Sequence, residues 1–62
     1  MFTYAELISL QSAMTDKIAR SKRTLNDEPY IHTIEGAREI VEECLNNDIR
    51  ILNKIEQLIA EY

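Results

Sequence analysis

Tyr4, Leu7, Gln11, Met14, Ile18, Ser21 and Leu25 recur at alternating spacings of three and four, which makes one face of the chain apolar, interrupted only by Gln11 and Ser21. Ile8 and Leu10 widen that stripe on its two sides. Just upstream, Thr3 followed three positions later by Glu6 reads as a capping box, and Phe2 and Leu7 occupy the hydrophobic-staple positions around it. These signals predict a helix over about 3–26. It ends at Asn26, Asp27, Glu28 and Pro29, where turn formers meet the only proline and the residue before that proline is pushed away from helical geometry.

A second stripe follows. Ile34, Ala37, Val41, Cys44, Asp48, Ile51, Ile55, Leu58 and Tyr62 keep the three-four alternation, with Asp48 the only polar member. The pattern predicts a turn over about 27–33 and a helix over about 33–61, starting between 29 and 34. Gly36 lies off the stripe and costs a helix about 1 kcal/mol relative to Ala. It fits either a close approach of another backbone near the turn or neutral drift.

Two amphipathic helices and a short turn form one all-α domain over residues 1–62, an antiparallel hairpin of coiled-coil type. Pairing positions whose numbers add to 59 sets Leu25 by Ile34, Ile18 by Val41, Met14 by Leu45, Leu7 by Leu52 and Tyr4 by Ile55. The same register puts Gln11 beside Asp48, so the two polar intruders form one hydrogen-bonded layer that fixes the alignment. With Ile34 at heptad position a, Leu45, Leu52 and Ile59 fall at e, a column that only Arg38 breaks. A stripe spanning a, d and e is wider than one partner helix covers. The hairpin is therefore expected to dimerise into a four-helix bundle, with Leu45, Leu52, Ile55 and Ile59 at the oligomer interface.

Size and charge narrow the chemistry. Sixty-two residues make one small domain, and a single Cys leaves no disulfide framework and no four-thiolate zinc site. The net charge of -4 is unevenly spread. Residues 1–27 carry four basic and three acidic groups, residues 28–62 three basic and eight acidic. No apolar run exceeds the three residues Leu58, Ile59 and Ala60, so no membrane span is expected, and with one unpaired Cys the expected compartment is the cytoplasm.

Catalytic material is sparse. Cys44 sits at an apolar d position between acidic neighbours and reads as a buried structural thiol, twelve residues from the lone His32. His32 and Glu35 are spaced like a ligand pair, but the di-iron bundle motif has Glu before His and points inward. Glu39, Glu42 and Glu43 fall on a solvated helix face. No glycine-rich phosphate loop, zinc spacing or triad is present, so no enzymatic activity, metal or cofactor is expected.

Two functional readings follow. The first is a non-enzymatic module that binds itself and another protein. Its size and composition fit a regulator or inhibitor of a host protein encoded by a mobile element. The second uses the basic and aromatic residues near the turn, Lys22, Arg23, Tyr30 and His32, to bind nucleic acid or a nucleotide. Against it, the register of 59 sets Lys17 facing Glu42 and Arg20 facing Glu39, a purely structural account in which the neighbouring helix neutralises half of the basic stretch. In architecture alone the chain is similar to plasmid-encoded RNA-binding hairpin dimers of the Rop type, which are also small and acidic. That likeness implies that net charge does not exclude nucleic acid, and no residue is carried across from it. A small structural assembly subunit is a third reading.

Overall fold

Both halves of the capping box form. In the computed structural model, which describes all 62 residues, the Glu6 N–H donates to Thr3 Oγ1 at 3.1 Å and the Thr3 N–H donates to Glu6 Oε1 at 2.8 Å. Two of the backbone donors at the helix start are satisfied this way, and α1 runs over Tyr4–Asp27. It ends where Glu28, extended at φ -85° and ψ 119°, precedes Pro29. From Leu7 onward the residues that face inward are the expected ones, while Tyr4, the first of the stripe, is exposed. Leu7 and Ile18 are buried, and Gln11, Met14, Ser21 and Leu25 are half-buried between and beyond them.

The connector is longer than the sequence pattern suggests. Pro29, with φ -61° and ψ -33°, leads into a one-turn helix α2 over Tyr30–Thr33, and Ile34 then turns extended. Ile31 is buried, and α2 packs against the third helix, so this turn plugs the closed end of the hairpin. Gly36 adopts φ 81°, the left-handed region, and α3 follows over Ala37–Ala60. A Cβ on Gly36 would meet nothing within 4 Å. The glycine serves its backbone angle, and the expected close approach of another chain segment is not what requires it.

The helices α1 and α3 pack antiparallel along a rod of 44 × 15 × 15 Å. Their register differs from the expected one. Lys17 pairs with Asp48 and Tyr4 with Tyr62, positions whose numbers add to 65 and 66 rather than 59. The cause is the start of α3: the expected pairing of Leu25 with Ile34 needs a tight turn, whereas Glu28 to Gly36 are spent on the connector. A slip of about one heptad brings the same columns face to face, so the apolar pattern is satisfied by either alignment.

The packed face of α3 also differs. Ile55 and Asp48 are buried and Val41, Leu45, Leu52 and Ile59 half-buried, so columns a and e face α1. Cys44, Ile51 and Leu58, the d members of the expected seam, are exposed, as are Ile34 and Tyr62. The e column carries three large aliphatic side chains where d offers a Cys and an Ala, and burying the larger apolar surface decides which way the helix turns. Cys44 is thus an exposed free thiol and not the buried one its position suggested.

Candidate functional site

One charged contact crosses the hairpin. Lys17 Nζ lies 3.2 Å from Asp48 Oδ1, reaching from a side chain that is 55% exposed to one that is 6% exposed. Gln11 does not share this layer, and Asp48 Oδ2 is buried without a hydrogen-bond partner. The expected ion pairs of Lys17 with Glu42 and of Arg20 with Glu39 do not form. The slipped register carries Lys17 to Asp48, and Glu42 instead accepts from Arg38 at 2.8 Å on its own helix.

The basic and aromatic residues near the turn are all exposed: Lys22 and Arg23 on the last two turns of α1, Tyr30 and His32 on α2. They do not line a common concavity. Arg23 shares a shallow cleft of about 250 Å³ with Arg20, Thr24, Asp27 and Glu28, so two acidic residues border that cleft along with a second basic one. Lys22, Tyr30 and His32 line none of the surface clefts.

Glu39, Glu42 and Glu43 border an open polar groove with Asn46, Asn47 and Arg50 along the outer surface of α3. No three His, Cys, Asp or Glu side chains converge anywhere as a ligand set. Among the titratable groups Glu6 stands out. The Thr3 backbone N–H, and after it the Thr3 side chain, hold the Glu6 carboxyl below the ordinary value.

The residues proposed for the oligomer interface face α1 within the chain: Ile55 is buried and Leu45, Leu52 and Ile59 are half-buried. The exposed apolar surface lies elsewhere. At the open end Met1, Phe2, Leu7, Leu58, Glu61 and Tyr62 enclose a mainly apolar hollow of about 290 Å³, beside the Tyr4 and Tyr62 rings, whose centroids are 5.6 Å apart. Along α3, Ile40 and Ile51 are 64% and 44% exposed. Sequence reasoning missed the Tyr4–Tyr62 pair because the register of 59 places Tyr4 against Ile55. No helix is long and apolar enough to cross a membrane. Neither family models, nor curated proteins, nor solved structures contain a match to this chain.

Proposed function

We propose that the chain is a non-enzymatic interaction module, a helical hairpin that pairs with a second copy as a four-helix bundle and acts by binding another protein, as a regulator or inhibitor. The observation that carries this reading is uncovered apolar surface. Four apolar side chains are buried, while eleven large hydrophobic residues are exposed. The accessible surface of 4864 Å² exceeds by about 700 Å² what a compact monomer of 7.2 kDa presents. A surface of that kind on so small a rod favours a protein covering over open water.

Nucleic-acid binding through Lys22, Arg23, Tyr30 and His32 is the weaker reading, because Arg23 shares its cleft with Asp27 and Glu28. Capture of tagged protein from the native host's lysate, with and without nuclease, separates the two. A stoichiometric protein partner that survives nuclease supports the proposal. Recovery of nucleic acid with no protein partner contradicts it.

A further inference from the structure

We propose that the outer column of α3, formed by Ile40, Cys44, Ile51 and Leu58, is the seat of a second α3 lying antiparallel to the first, an assignment that rests on the dimer reading above and gives it a face and a direction. Ile40, Ile51 and Leu58 are 64%, 44% and 44% exposed, and Cys44 is exposed between them. On a helix advancing about 100° per residue this column lies at roughly a right angle to the one that packs on α1. Two apolar columns at a right angle are what a helix at the corner of a four-helix bundle presents to its two neighbours. Only α3 has both. The corresponding lateral column of α1 reads Leu10, Lys17 and Thr24 and turns polar after one residue, so α3 supplies the apolar contact between the two hairpins.

Length agrees with a second copy of α3 as the occupant. The column runs from Ile40 to Leu58, about 27 Å of a 24-residue helix, so a helix of the same length lies along all of it. Charge sets the direction. Glu43 and Lys54 flank the column on the same side, and neither forms an ion pair within the chain. Eleven residues separate them, about 16 Å along the helix, which is too far for direct pairing. A two-fold axis at the level of Asp48 and Ile49 places Glu43 of each copy opposite Lys54 of the other, twice per dimer. A parallel pairing puts these flanks of the two copies on opposite edges of the contact, where Glu43 and Lys54 gain no partner.

Sedimentation equilibrium on four variants tests both face and direction, with helicity checked by circular dichroism. Ile51→Lys is expected to weaken dimerisation at least a hundredfold with the helices retained. Glu43→Lys and Lys54→Glu are each expected to weaken it about tenfold, and the double variant E43K/K54E to return within about twofold of the wild type. If Ile51→Lys leaves the dimer intact, the face is wrong while the dimer reading survives. If the double variant is no tighter than the single ones, the antiparallel direction is wrong. A wild-type monomer overturns the inference together with the reading beneath it. Should Ile51→Lys lose its helices, the wild-type thiol decides the face: maleimide labelling of Cys44 is expected to slow in step with dimer formation as protein concentration rises. Labelling at a constant rate overturns the assignment.

Discussion

Lys17 Nζ meets Asp48 Oδ1 at 3.2 Å, and that bond joins a solvated cation to a carboxylate whose other oxygen, Oδ2, is buried and unpartnered. The pair is more informative about alignment than about stability. A half-satisfied buried carboxylate is costly, and it tolerates only registers that bring a cation to it.

Removing the cation is therefore expected to cost more than removing the anion. Lys17→Ala leaves Asp48 buried without its partner and is expected to destabilise the hairpin by about 1–3 kcal/mol. Asp48→Leu fills the same space with apolar atoms and is expected to be neutral or stabilising. The combined variant is expected to recover most of the loss caused by Lys17→Ala alone. Urea melts at one fixed protein concentration check all three, since association shifts apparent stability. Equal destabilisation by Lys17→Ala and Asp48→Leu contradicts the argument.

Gly36 is predicted to stabilise the hairpin for a conformational reason alone. Its φ of 81° lies in the left-handed region and an added Cβ meets nothing within 4 Å. Gly36→Ala is thus expected to cost about 1–2 kcal/mol with no packing defect. Gly36→Asn, whose side chain tolerates that geometry better, is expected to cost less. Thermal melts of the two variants give the ranking, and an Ala variant as stable as the wild type removes the claim.

The capping box predicts an acid-sensitive start to α1. Hydrogen bonds from Thr3 hold the Glu6 carboxyl below its ordinary value, so their stabilisation is complete above the unfolded-state value. It is lost as pH falls through the depressed folded-state value. Amide exchange near residues 3–7 is expected to accelerate in that acid range for the wild type. Glu6→Gln, which removes the titrating carboxyl and leaves both Thr3 groups in place, should flatten this pH dependence. An unchanged pH profile in the variant refutes the assignment.

The inward face of α1 was legible in the sequence from Leu7 onward, because Leu7, Gln11, Met14, Ile18, Ser21 and Leu25 form one continuous stripe, whereas its first member, Tyr4, and the flanking Ile8 and Leu10 are exposed. The capping box was equally plain, being local. The register was not legible. A heptad pattern aligns nearly as well after a slip of seven residues, and only the connector's length decides between alignments. That length depends on the extra turn Tyr30–Thr33 and on the left-handed Gly36. The orientation of α3 failed for a related reason. Columns d and e are both apolar there, and periodicity alone does not say which one meets α1. Of the proposed sites, the turn residues Lys22, Arg23, Tyr30 and His32 are exposed as their positions implied. Their failure to share a cleft is a matter of three-dimensional placement that spacing does not encode.

The basic residues of the turn are predicted to be dispensable. The double variant K22E/R23E is expected to retain the wild-type oligomeric state and to capture the same protein partner from lysate. Loss of bound nucleic acid in that variant, with affinity falling steeply as salt rises, marks the nucleic-acid reading instead.

The most direct measurement of the central claim is the mass of the wild-type protein by light scattering at about 10 μM, alongside its helicity. The account predicts a fully helical species of twice 7.2 kDa. A fully helical species of 7.2 kDa at that concentration contradicts it.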